Sequence, residues 1–276
     1  MYFCKGDGFR PVPCFAFGVL AVPGFLTGQS CPALISSAEQ AFKNKQYVQS
    51  AAEFQGALAV CPQRLEILVA LGQVQYLLGR EIEAEQSLKS ALGIDASHVP
   101  ALYALGRLYY QQKRYPEAAE RFGRTVELDP GNYRAWDNLG LVYDALNRDP
   151  DALRSFFKAL DLVMKDHPDY DWAHANLADF FLKRNQHEKA FQLAAEAAKR
   201  NPSSARNCFL TGKALVKLEK HELSLRWLER SVELDNIYPE AFYLLAQSYR
   251  KLGRTEDSSR ALERFRELSK SPPARR

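Results

Sequence analysis

Leu71-Gly72, Leu105-Gly106 and Leu139-Gly140 stand 34 residues apart, and the series continues through Leu177-Ala178, Thr211-Gly212 and Leu245-Ala246 and back to Ser37-Ala38. One interval, from Leu139 to Leu177, is 38 residues. Other landmarks keep the same step. Tyr109, Tyr143, Phe181 and Tyr249 lie four residues after the leading position, Ala84, Ala118, Ala152 and Ala190 thirteen after it, and Phe54, Leu88, Phe122, Phe156 and Leu228 seventeen after it. Pro62, Pro130 and Pro202 close units, and Pro168 does so four residues late. Such a period constrains the fold more than composition does. Each unit must be one supersecondary element that buries its apolar face only against its neighbours.

Within a unit, apolar residues recur every three to four positions in two stretches joined by a short polar turn, which marks two amphipathic helices. Asp129-Pro130-Gly131 and Asn201-Pro202 end second helices, because the residue before proline avoids helical backbone. Gly106 with Ala118, and Gly140 with Ala152, are predicted to let paired helices approach, while large residues such as Tyr109 and Phe122 fill the space between them. The fold class is all-α.

These landmarks resemble the tetratricopeptide repeat, whose pattern is W-x2-L-G-x2-Y followed by Ala, Phe, Ala and Pro. Unit 133–170 matches best, with Trp136, Leu139, Gly140, Tyr143, Ala152, Phe156 and Ala159. The resemblance covers seven units: 31–64, 65–98, 99–132, 133–170, 171–204, 205–238 and 239–272. It implies a right-handed superhelical solenoid whose inner face comes mainly from each unit's first helix. Unit four carries four extra residues around Val163 to His167, so either its second helix is longer and projects beside Asp166 and His167, or only the phase changes. In unit seven Phe265 replaces a usually small residue, and the charged stretch Glu256 to Lys270 is expected to serve as its own cap. Residues 273–276 read as a tail.

Residues 1–30 differ from the repeats. Lys5 and Arg10 precede an apolar stretch, Val12 to Leu26, and Gly28-Gln29-Ser30 sets small residues before Cys31. That is the layout of a secretory signal peptide. Asp7 and the prolines at 11, 13 and 23 fit it poorly, and an unstructured leader is the alternative. Export would place the chain in the periplasm or envelope of a bacterial-type cell; without it the location is cytoplasmic. No later apolar run approaches the roughly 20 residues of a membrane span. A formal charge of +4, from 37 Lys+Arg against 33 Asp+Glu, is too mild to argue for nucleic acid.

Five cysteines are too few for a disulfide-built scaffold. Cys4 and Cys14 would leave with the leader, and Cys208 is expected to be a buried thiol. Cys31 opens the first helix of unit one and Cys61 ends its second. The ends of an antiparallel pair are neighbours, so these two either form a disulfide or are unrelated thiols. No catalytic constellation, phosphate-binding loop or cofactor motif is found. Asp166, His167, Asp169, Asp171 and His174 cluster in sequence but match no metal-ligand spacing.

The resemblance implies a non-catalytic scaffold that holds a peptide or partner protein in its concave groove. At positions that commonly line that face in the family, units two and three offer Val69, Gln73, Tyr76, Tyr103, Arg107 and Tyr110. Units four and five offer Asp137, Asp144, Asp179 and Leu141, with Asn138 and Asn176 where some relatives grip a peptide backbone. Units six and seven offer Arg206, Phe209, Lys213, Lys217, Tyr243, Arg250 and Lys251. The expected groove therefore runs from aromatic through acidic to basic. A dedicated carboxylate clamp is not expected, since Ile35, Glu39 and Ala70 occupy its first positions. Two alternatives stand beside the scaffold reading: a regulatory or substrate-selecting subunit of an enzyme complex, and self-association through the solenoid ends as a homodimer.

Overall fold

The computed structural model describes residues 30–62 and 64–270. Apart from Ser30, the leader read over residues 1–30 lies outside the described residues, as does the tail. Fourteen α-helices and no strand occur among the described residues. In chain order the odd-numbered first helices are α1 Cys31–Lys43, α3 Arg64–Leu77, α5 Val99–Gln111, α7 Tyr133–Ala145, α9 Trp172–Lys183, α11 Ala205–Lys217 and α13 Pro239–Lys251. The even-numbered second helices are α2 Tyr47–Val60, α4 Glu81–Ile94, α6 Tyr115–Leu128, α8 Asp149–Asp166, α10 His187–Arg200, α12 His221–Leu234 and α14 Thr255–Lys270. Each 34-residue window thus holds one helix pair.

Three residues separate the two helices of every pair. The middle residue of each turn takes left-handed backbone: Lys45, Gly79, Lys113, Asn147, Asn185, Glu219 and Gly253, with φ between 56° and 75°. Only Gly79 and Gly253 adopt it without a steric cost. The repetition shows that one turn geometry, imposed by packing the two helices, overrides side-chain preference. Prolines act mostly at helix openings: Pro100, Pro116, Pro150 and Pro239 each stand in the first two positions, where no intrahelical N–H is needed. Asn132 and Ser204 cap α7 and α11, accepting from the amides of Ala135 and Asn207.

The repeated glycines also make room for a large side chain of the paired helix. A methyl group on Gly140 would lie 2.5 Å from Phe156 Cδ1, one on Gly106 2.9 Å from Phe122, and one on Gly212 2.6 Å from Leu228. The glycine of the first helix receives the large side chain of the second, and in unit two a methyl on Gly72 would also lie 3.4 Å from the carbonyl of the small residue Ala84. Where that small position holds serine, the hydroxyl is satisfied: Ser50 and Ser258 donate to the carbonyls of Ala38 and Ala246, both at 2.8 Å. Phe122, Phe156 and Leu228 are fully buried as a result.

α8 is 18 residues long against 14 for most second helices, so the four extra residues of unit four lengthen it by about a turn. Val163 of the extension is buried while Met164 is exposed. α8 also packs more lightly on α9 than any other helix does on its successor. At the C-terminal end Phe265 is half-buried against Tyr243, ring centroids 5.4 Å apart. Cys31 and Cys61 are joined by a disulfide with Cα atoms 5.2 Å apart, which ties the start of α1 to the end of α2. No helix among the described residues is long and apolar enough to cross a membrane.

Candidate functional site

First helices touch one another along the array, α3 with α5, α5 with α7, α7 with α9, α9 with α11 and α11 with α13, and second helices make no comparable contact. Helices on the inner side of a bend lie closer together, so the first helices form the inner face. Three tyrosines mark its first half. Tyr76, Tyr103 and Tyr110 are all half-buried, and burial raises the phenol pKa of Tyr103 and of Tyr110. A pocket of about 330 Å³ opens there, walled by Tyr76, Leu77, Leu88, Tyr103, Arg107 and Arg134. Arg107 is exposed and lies over the Tyr76 ring, 5.4 Å from its centroid.

The middle of the face departs from the expected acidic stretch. Asp137 is buried, 2% exposed, and its Oδ2 accepts from Tyr170 Oη and from Asn176 Nδ2, each at 2.9 Å. Burial pushes its carboxyl up to about 6 against those two hydrogen bonds and the field of Arg206. Asn176 is buried as well, and its Oδ1 accepts from Arg206 at 2.9 Å. One polar chain therefore crosses α7, α9 and α11. Asp137 and Asn176 lie beneath the face and already have partners, which removes them from the set expected to meet a ligand directly. Asn138 is half-buried, its amide donating to Arg134 O and Tyr103 Oη at 2.8 and 3.2 Å.

Asp144 and Asp179 stay nearer the surface but are neutralised locally. Lys183 reaches both, at 2.9 and 3.0 Å, and Arg184 reaches Asp144 at 2.8 Å. Burial works against the Lys183 charge, yet its hydrogen bonds to the two carboxylates outweigh that and raise its pKa. Leu141 is half-buried and packs on the core. The cations that cancel these acids come from the end of α9: Lys183 holds the same unit position as Lys217 and Lys251 but was not read with them, and Arg184 is the next residue.

Further along, Arg206 lies 5.1 Å from the Trp172 ring centroid and Lys213 5.7 Å from that of Phe209. Lys217 and Arg250 are exposed. Sequence reasoning passed over Arg134, although it holds the same place at the start of α7 that Arg206 holds in α11. It also passed over Tyr170, whose hydroxyl seals Asp137. No group of three or more His, Cys, Asp or Glu among the described residues could hold a metal ion. The acidic and histidine cluster before α9 is dispersed: Asp171 accepts from Asn207 at 2.6 Å, His174 is buried, and Asp166, His167 and Asp169 face solvent.

Known proteins give the same architecture. The family model of the middle tetratricopeptide-repeat-like domain of cilia and flagella-associated protein 70 matches residues 34–164, and a tetratricopeptide repeat model matches residues 240–270. A solved tetratricopeptide repeat protein from Parabacteroides merdae is similar over 87% of this chain and 94% of its own, with TM-score 0.67 and 17% identity. The Pseudomonas aeruginosa protein pilF is similar over 81% and 96%, with TM-score 0.64 and 22% identity. The Cut9–Hcn1 hetero-tetramer of APC/C contains a chain similar over 88% of this one, at TM-score 0.72 and 15% identity, and this chain spans 46% of that one. At such identities the likeness is one of fold. No curated protein sequence matches the chain.

Proposed function

The chain belongs to the tetratricopeptide-repeat family, and from that premise we propose that it acts as a non-catalytic scaffold holding a peptide or partner protein against its inner face. The supporting observation is the inner face itself: contiguous first helices carrying half-buried tyrosines beside exposed cations. Aromatic and arginine side chains on a concave surface are the usual anchors of such contacts. The Cys31–Cys61 disulfide supports an oxidising compartment as the place of work, in keeping with export.

The test is capture of partners by the full chain, compared with a Tyr103→Ala, Tyr110→Ala, Arg107→Glu variant, followed by hydrogen exchange on the complex. Protection of α3, α5, α7 and α11 and loss of the partner from a folded variant are expected. Protection confined to second helices would overturn the groove reading. A mass that grows with concentration, with protection at α1 or α14, would favour self-association through the ends.

A further inference from the structure

Charge is divided between the two helix layers. The seven first helices carry ten Lys or Arg against six Asp or Glu. The seven second helices carry fifteen against twenty. The inner face is thus positive and the outer layer negative, although the whole chain is close to neutral. Pairing sharpens the division. On second helices Arg121, Arg124, Arg154, Arg230 and Arg260 each find a carboxylate within their own helix. On the inner side three of the six acids are already engaged, Asp137 by burial and Asp144 and Asp179 by Lys183, while Glu39, Glu66 and Glu240 are exposed on α1, α3 and α13.

Arg107 and Arg134 pair with no carboxylate among the described residues. Both are exposed, both line the pocket between α3, α5 and α7, and both act on the Tyr103 hydroxyl in the same sense. The ring of Tyr76 supports Arg107 by its face, which leaves the N–H edge of the guanidinium free to bind an anion. Apart from Gln73, the rest of the pocket wall is apolar or aromatic, with Phe42, Leu77, Leu88, Tyr76 and Tyr103 its large side chains.

We infer that this pocket takes an acidic peptide segment, which lays an aromatic or aliphatic side chain between Tyr76 and Tyr103 and sets a neighbouring carboxylate on Arg107 and Arg134. The inference rests on the scaffold reading above and names the chemistry of its partner. Asp144 and Asp179 in units four and five, already neutralised, do not call for a basic stretch in the ligand. A cation in the pocket would meet Arg107 and Arg134 and be rejected. A flat anionic membrane cannot reach cations on the inner side of a bend, and nucleic acid would meet the negative outer layer at the rim.

The experiment presents the full chain with a display library of short random peptides. Enriched peptides are expected to carry Asp or Glu next to Phe, Tyr, Trp or Leu. Their affinity, read by fluorescence anisotropy, should fall about tenfold or more in Arg134→Glu and fall with added salt, while Lys158→Glu, at an exposed position of the second helix α8, changes it little. An Arg107→Glu, Arg134→Glu chain should select Lys- or Arg-containing peptides instead. Both arginines are exposed, so these variants should keep the parent's circular dichroism and melting temperature.

Neutral or basic peptides enriched by the parent would overturn the inference, as would no enrichment at all, or acidic peptides indifferent to both reversals. Hydrogen exchange then separates the two failures. Protection on α9, α11 or α13 leaves the groove reading standing and removes only the pocket. Protection on no first helix removes both. Phosphatidylserine vesicles that bind the parent and are lost with Arg134→Glu would assign these cations to a membrane surface and overturn the peptide inference.

Discussion

Asp137 and His174 titrate in opposite senses within one pH window. The folded carboxyl of Asp137, near 6 against an ordinary 3.8, holds its proton more tightly than the unfolded chain does. Its ionisation therefore removes stability as pH rises through that interval. His174 is pushed down to about 4 from 6.5, by burial first and the Arg200 charge second, so the fold keeps it neutral. For His174 the unfolded chain takes the proton, and stability is lost as pH falls from 6.5 towards 4. The two slopes offset. Asp137→Asn, which keeps an acceptor for Tyr170 and Asn176, should expose the histidine slope: the melting temperature then drops on acidification, by the equivalent of roughly 2–3 kcal/mol over the window. His174→Gln should expose the opposite slope. Melting curves for Asp137→Asn that run parallel to the parent between pH 4 and 7 would refute this account.

Helix pairs show how local sequence and packing share the work of specification. Gly140 and Gly123 look alike in the sequence, and the contacts around them differ. A methyl at Gly140 meets the Phe156 ring, whereas one at Gly123, within α6, meets nothing within 4 Å. Gly140→Ala should destabilise by ~1–3 kcal/mol through overpacking, and Gly123→Ala should stabilise by ~0.5–1 kcal/mol through helix propensity. Urea titration of the two variants checks the opposite signs. The helix pairs were legible because the leucine, glycine and alanine landmarks recur in register. The left-handed turn residue was legible only in part, since Gly79, Gly253, Asn147 and Asn185 are types that favour positive φ while Lys45, Lys113 and Glu219 give no local hint of it. At those last three, tertiary packing dictates the backbone, and single-residue preference is silent about it.

At the scale of the molecule, the disulfide closes a 30-residue separation at one end of the array. Replacing Cys31 and Cys61 by serine should cost about 3–4 kcal/mol, localised by nearest-neighbour stacking to the first unit. Hydrogen exchange should rise in α1 and α2 and stay unchanged from α9 onward; a uniform rise along the array would contradict a one-dimensional solenoid. The candidate site was legible in part. Tyr76, Tyr103 and Arg107, read from their unit positions as groove residues, line one pocket, while the fate of Asp137, Asp144 and Asp179 depended on Tyr170, Lys183 and Arg184, which lie in other helices or at helix ends. Charge read at one position carries no information about a counter-ion one unit away.

The polar chain from Asp137 through Asn176 to Arg206 crosses three first helices just where α8 packs most lightly on α9. Outer contact is thin there and inner contact is tied. In mechanical terms the solenoid is a spring with a hinge on its outer wall and a tether across its inner one. Stretching would part the outer wall between units four and five first, and bending that widens the inner face would load the tether.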